Sequence, residues 1–190
     1  MHLLRGVLGR DECAALWRQV ARAAAHDGWQ TARHAHFATT DFALWRAPEA
    51  AAWARARVAS RVLPALSTLY GIPLERLALR ESFVVRYEAS GQPALALHKD
   101  STLLSCNVLL CEPVGFDGGG TCFAEPVGAA EWRWHEGELR RTGTLAEATV
   151  LNGAQGDCVL HCGQQMHGAQ PVTRGMRVVL VCFIDELYSQ

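Results

Sequence analysis

The chain has 190 residues, with 49% hydrophobic and 19% charged side chains and a formal net charge of −1. That composition suits one globular domain over residues 1–190, and it offers no electrostatic footprint for nucleic acid or an anionic membrane. No apolar run approaches bilayer-spanning length, and Met1-His2-Leu3-Leu4-Arg5 runs into Arg10-Asp11-Glu12 without an apolar signal segment.

Apolar residues Cys13, Leu16, Val20 and Ala24 recur at helical spacing after Arg10, with Asp11 and Glu12 in the first turn and Gly28 just past the end. This predicts a helix. A second helix opens at Pro48-Glu49, carries Trp53 inward and continues to about Val62. Pro64 restarts or kinks it, and Gly71 after Tyr70 closes it. The texture changes at Leu77. Phe83-Val84-Val85-Arg86-Tyr87 reads as a strand with Phe83, Val85 and Tyr87 on one face. Residues 103–111 form another, with Ser105, Asn107 and Leu109 on one face. Gly118-Gly119-Gly120 punctuates before a short strand at Thr121-Cys122-Phe123, and residues 131–148 read as a polar excursion from the core. Strands return at 157–161 and 177–184. Helices first and short strands after predict an α+β fold, with residues 1–76 as helical support for a sheet or barrel over 77–185. Seven scattered cysteines, with no CxxC pair, read as free thiols in a reducing compartment, so the cytoplasm is the expected location.

The chemistry rests on His98-Lys99-Asp100. In an extended segment, residues two apart share a face, so an imidazole and a carboxylate reach one ion together. His167 supplies a second imidazole from far along the chain. Two histidines and one carboxylate on one face of an octahedral ion form the facial triad of non-haem Fe(II) oxygenases, which leaves positions open for a 2-oxo acid and dioxygen. Ten residues later Arg177 opens an apolar strand and projects with Val179, Val181 and Phe183. A guanidinium facing a barrel interior needs an anion, and the distal carboxylate of 2-oxoglutarate is a natural partner. Tyr87 is either core or a contact to cosubstrate or substrate. Asn107, mid-strand among apolar neighbours, needs either a cosubstrate carboxylate or a backbone group. His161 reads as a packed strand residue outside the triad and His135 as part of a solvated loop.

Several of these residues stand in a familiar order. They are Phe83-Val84-Val85-Arg86-Tyr87, Gln92-Pro93, His98-Lys99-Asp100-Ser101-Thr102, Asn107-Val108 and Gly118-Gly119-Gly120, then Gly163, His167, Pro171, Thr173, Gly175, Arg177 and Phe183-Ile184-Asp185. The run resembles the catalytic domain of procollagen-lysine (lysyl) hydroxylases, within the prolyl-4-hydroxylase-like Fe(II)/2-oxoglutarate oxygenases. The resemblance implies a double-stranded β-helix (jelly-roll, cupin-like) core. It also implies iron held by His98, Asp100 and His167, 2-oxoglutarate anchored by Arg177, dioxygen as co-substrate and ascorbate as a possible stimulant. Retention of Asp100 argues for hydroxylation over halogenation. Cys111 and Val178 depart from the family's usual residues, and 131–148 does not align. The collagen-modifying enzymes are secretory and multidomain, so the chemistry transfers better than the substrate.

By analogy, the expected substrate is a lysine-like amino-acid side chain, free or peptidyl; the alternative is a small natural-product scaffold. Asp41 is a candidate partner for a substrate amine, and Trp45, Trp132 and Trp134 are candidate pocket walls. A non-catalytic sensor of metal and 2-oxoglutarate is the reading from a different class. A zinc hydrolase is disfavoured because no general base is spaced as in HExxH. Oligomeric state, hydroxylated position and stereochemistry are not legible.

Overall fold

In the computed structural model, residues 1–34, 37–124, 131–135, 138–142 and 149–187 are described. Strand β1 (His2–Leu4) leads into helix α1 (Arg10–Asp27), whose buried face is Cys13, Leu16, Val20 and Ala24, the periodic set read from the sequence. The Glu12 carboxylate accepts the Gly9 N–H at 3.0 Å and so satisfies one of the free donors at the helix start. Strand β2 (Asp41–Ala43) precedes α2 (Pro48–Arg57), and α3 (Leu63–Tyr70) ends on Gly71 in the left-handed conformation, φ 74°. Between α2 and α3 the backbone widens into one π-turn, Val58–Val62, where the Leu63 N–H bonds to Val58 O. Pro64 explains it: proline has no N–H to give, and its ring would strike the carbonyl four residues back in a regular helix. Trp53 is only half-buried, under the Arg57 guanidinium at 4.6 Å, and Ala50 and Ala54 make the buried face of α2.

The rest is β-structure: β3 (Leu77–Glu88), β4 (Leu95–His98), β5 (Leu104–Leu109), β6 (Phe116–Gly118), β7 (Thr121–Phe123), β8 (Glu131–His135), β9 (Glu138–Thr142), β10 (Thr149–Leu151), β11 (Cys158–Cys162), β12 (His167–Ala169) and β13 (Val172–Glu186). The larger sheet runs β1-β11-β5-β13-β3-β2, with β6 also pairing β13, and the smaller runs β10-β7-β12-β4. The pairings within both are antiparallel. The 1–76 segment is therefore more than helical support, because β1 and β2 close the two edges of the larger sheet. Each is three residues long, too short for alternation to show in a sequence. The expected excursion at 131–148 contains the hairpin β8–β9, so His135 ends a strand instead of lying in a loop; residues 136–137 and 143–148 lie outside the described set.

Alternation on the long central strands separates two environments. Val84, Cys106, Val108, Val178, Leu180 and Cys182 face α1, α2 and α3 and join their apolar residues in the main core. Phe83, Val85, Tyr87, Leu109 and Val179 face the other way, in a second cluster with Ala169 from the smaller sheet. The two sheets thus stack in a jelly-roll sandwich, helices cover one face of the larger sheet, and an interior lies between the sheets.

Gly163 holds a close crossing at one end of this interior. Its N–H bonds to Leu103 O at 3.0 Å and its carbonyl accepts the Asp100 N–H at 2.8 Å. A Cβ there would sit 1.9 Å from the Thr102 carbonyl oxygen. Gly163→Ala is therefore expected to destabilise the fold by about 1–3 kcal/mol, the usual cost of overpacking. A lowered urea midpoint with an unchanged slope is the expected signature.

Candidate metal and cosubstrate site

Sheet register positions the two histidines. β12 pairs β4 with His167 directly opposite His98, so both imidazoles stand side by side on the smaller sheet. Their ring centroids are 4.4 Å apart. Asp100 follows β4 by two residues and is tied across to Gly163 and to Gln164, whose Nε2 donates to the Asp100 carbonyl at 3.1 Å. One ligand atom from each of His98, Asp100 and His167 lies within 4.8 Å of the others. His98 Nε2 is 3.4 Å from Asp100 Oδ1, and His167 Nε2 is 3.4 Å from Oδ2.

Supporting contacts orient all three. His98 Nδ1 lies 2.9 Å from Ala96 O and His167 Nδ1 lies 2.8 Å from Gln165 O. A carbonyl only accepts, so Nδ1 carries a proton in each ring and Nε2 is the atom turned toward the shared centre. Ser105, reaching in from the larger sheet, donates its hydroxyl to Asp100 Oδ2 at 2.5 Å. Burial works to raise the Asp100 carboxyl, but the His98 hydrogen bond and the other two imidazoles outweigh it and hold the group down at about 2. Burial pushes His167 below the ordinary imidazole range. For His98 burial acts downward as well, yet its contacts to Asp100 and the Ala96 carbonyl leave it raised.

The triad opens into a cavity of about 210 Å³ that also exposes Tyr87, Asn107, Thr121, Val179 and Arg177. Arg177 is 7% exposed, and among the described residues it has no carboxylate partner: Thr121 Oγ1 is 3.4 Å from one guanidinium nitrogen and the Tyr87 ring 5.6 Å from its carbon. Burial pulls its guanidinium below the usual range and pushes the Tyr87 hydroxyl up to about 12. A buried cation beside open volume is a cradle for an anion. Asn107 faces the same cavity, and its amide nitrogen lies 3.4 Å from His161 Nε2, a partner that the sequence reading did not foresee. His161 is fully buried and held neutral, pushed down to about 3 by burial and then by His167, with Nδ1 3.0 Å from Cys162 O. It packs against His167 at 4.2 Å between ring centroids without joining the triad. A second cavity of about 220 Å³ shares Asn107 and Arg177.

Three expected substrate contacts lie elsewhere. Asp41 is fully buried, bonded to Arg33 Nε at 2.8 Å and to the Thr39 hydroxyl, so its charge is already balanced and it does not line the cavity. Trp45 sits on a 3-10 turn, 67% exposed and away from the cavity. Trp134 is half-buried against the main core, with the Arg76 guanidinium 5.4 Å from its ring. The Trp132 side chain lies outside the described residues. Of the 39–45 stretch that the sequence offers as a substrate loop, Thr39 lines the cavity, and the sequence reading missed His34 and Phe37, which line it from the irregular segment before β2.

No family model matches the chain. It is 33% identical over 107 residues to the rat multifunctional procollagen lysine hydroxylase and glycosyltransferase LH3, a match covering 55% of this chain and 12% of that protein. The curated relatives that it matches are all longer, and the chain covers 12–31% of their length. Among solved structures, a Pseudomonas putida prolyl-4-hydroxylase superposes with TM-score 0.67 at 17% identity, covering 98% of this chain and 92% of that one. HygX from Streptomyces hygroscopicus, solved with nickel and 2-oxoglutarate bound, gives 0.68 at 16% identity, covering 98% and 82%.

Ser105→Ala is expected to weaken divalent-metal binding roughly 10–100-fold, the usual effect of losing a contact behind a ligand. Anaerobic titration with Fe(II) or Co(II) measures it, with circular dichroism as the check that the fold persists. Sequence kinship to lysyl hydroxylases and near-complete superposition on a prolyl hydroxylase agree: the chain has the jelly-roll fold of the Fe(II)/2-oxoglutarate oxygenases.

Proposed function

We propose that the chain is an Fe(II)- and 2-oxoglutarate-dependent dioxygenase that hydroxylates an unactivated C–H bond of a small-molecule or peptide substrate. The observation that carries this reading is one cavity holding both halves of the cosubstrate's chemistry. Two imidazoles and a carboxylate converge within 4.8 Å, and an anion-deficient guanidinium lies in the same walls. The donor set suits a hard-to-borderline divalent ion with vacant positions, which fits Fe(II).

When bound, the iron and 2-oxoglutarate supply the activation of dioxygen and the oxidising power. The protein's part is positional. His98, Asp100 and His167 would hold the ion and Arg177, with Thr121 beside it, the distal carboxylate. Tyr87 and Asn107 offer further polar contacts along the way. The apolar walls Val85, Val179, Val181 and Phe183 exclude water from the reacting centre.

Cytoplasmic location is part of the proposal, supported by seven free cysteines. Among the described residues no helix is long and apolar enough to cross a membrane.

Anaerobic addition of Fe(II) and 2-oxoglutarate should produce a metal-to-ligand charge-transfer band that decays on admission of oxygen, with release of succinate. His98→Ala and Asp100→Ala should lose both the band and the succinate. Full turnover in either variant rejects the assignment, whereas a band that never decays with any substrate favours a sensor.

Arg177→Met gives an independent check. Replacing a buried charge with an apolar side chain of similar length is expected to stabilise the ligand-free protein by about 1–4 kcal/mol. The same change should abolish the rise in melting temperature that 2-oxoglutarate gives the metal-loaded parent.

A further inference from the structure

The third histidine of the interior, His161, has a part in the site, an inference that rests on the oxygenase reading. Sheet register places it. β11 pairs β5 with His161 opposite Ser105 and Val159 opposite Asn107, so Ser105, Asn107 and His161 share one face, with Asn107 diagonal to His161. Ser105 goes to Asp100, as described above. The His161 ring lies on His167 at 4.2 Å and meets the Phe123 ring edge to face at 5.3 Å. Fully buried between two other rings, it keeps one orientation.

That orientation has a polarity. His161 Nδ1 is 3.0 Å from the Cys162 carbonyl, which only accepts, so Nδ1 carries the proton. Burial keeps the ring neutral and leaves Nε2 as a lone pair. Asn107 Nδ2 lies 3.4 Å from it. The carboxamide end beside a lone pair has to be the NH2, because Oδ1 there would set two acceptors face to face. At 3.4 Å the contact is long for a hydrogen bond, so its main effect is to choose which end of the carboxamide turns toward the metal side.

The choice matters because of what Asn107 faces. It lines both cavities, and Arg177 is the other residue that the two share. A 2-oxo diacid carries acceptors at every polar atom, so the end of the carboxamide that it meets decides between attraction and repulsion. Nδ2 has two hydrogens, and His161 takes one. We propose that His161 is a positioning residue for the cosubstrate: from behind the cavity wall it holds the Asn107 amide nitrogen toward the metal side, where the remaining N–H donates to an oxygen of 2-oxoglutarate. The same ring lies against His167, so one side chain ties the cosubstrate contact to the metal end.

Calorimetric titration of the Ni(II)-loaded protein with 2-oxoglutarate tests this without turnover. His161→Phe keeps an aromatic ring and removes the acceptor, whereas His161→Gln keeps an acceptor and removes the ring. The Phe variant should bind 2-oxoglutarate about tenfold more weakly at unchanged Ni(II) affinity, and the Gln variant should stay within about twofold of the parent. In an Asn107→Leu background, itself about tenfold weaker, His161→Phe should weaken binding no further. Losses that add, an equal loss of Ni(II) affinity, or a Gln variant as weak as the Phe one overturn the proposal, because His161 then acts by packing on His167. Unchanged 2-oxoglutarate affinity in His161→Phe overturns it as well. Should the Phe variant fail to fold, the parent decides by NMR. The Asn107 side-chain amide signal of the Zn(II)-loaded protein, identified by its loss in Asn107→Leu, should shift on addition of 2-oxoglutarate; a signal that ignores it overturns the proposal. The loading step separates the two levels: a parent that takes up neither metal nor 2-oxoglutarate sinks the oxygenase reading itself.

Discussion

A guanidinium enclosed between two β-sheets, with no carboxylate to meet it among the described residues, is the constraint around which this protein is arranged. Arg177 sits on β13, hydrogen-bonded on both sides along much of its length, so its side chain cannot swing out to water without disturbing the sheet. Its register partner on β3 is Tyr87, whose ring offers a weak electrostatic contact and no charge. Gly119 leaves room for the arginine stem: a Cβ there would lie 3.0 Å from Arg177 Cδ. Leaving a cation this poorly compensated costs several kcal/mol, and natural folds tolerate that where a ligand completes the site.

The metal-ligating end follows a different logic, because every group there is held by at least one contact besides the ion. Register sets His98 opposite His167, and carbonyls of Ala96 and Gln165 fix their tautomers. Ser105 brings the larger sheet to Asp100, while Gly163 and Gln164 bring the turn before β12. The site is thus a property of how the two sheets pack, while the helices cover the outer face of the larger one. Holding the ligands this way reduces what the ion must organise on binding.

Alternation made much of this legible. Phe83, Val85 and Tyr87, or Arg177, Val179, Val181 and Phe183, share a face because strand geometry leaves them no choice, and the cavity shows both sets. The first helix declared itself through four apolar residues at regular spacing. What failed was whatever depended on partners from irregular chain. Asp41 looked available because nothing in local sequence says that Arg33, eight residues earlier, folds back to neutralise it. Trp45 looked like a pocket wall, yet its 3-10 turn leaves it in solvent, and Trp134 packs on the main core instead of the cavity. His34 and Phe37 had no periodic signal, since they belong to neither helix nor strand.

These failures cluster in irregular chain, and there is a physical reason. Metal and cosubstrate binding need fixed angles among a few charged atoms, which sheets supply and which leave a pattern in the sequence. Selectivity needs only a shape and a sign, which loops supply without one. Lys99 is neighbour in the chain to two residues whose positions other contacts already fix, and it is itself exposed. A change at His34 or Phe37 can alter the shape of the cavity while His98, Asp100 and His167 stay where register and hydrogen bonds hold them. The metal-side geometry and the shape of the rest of the cavity are therefore set by separate parts of this fold.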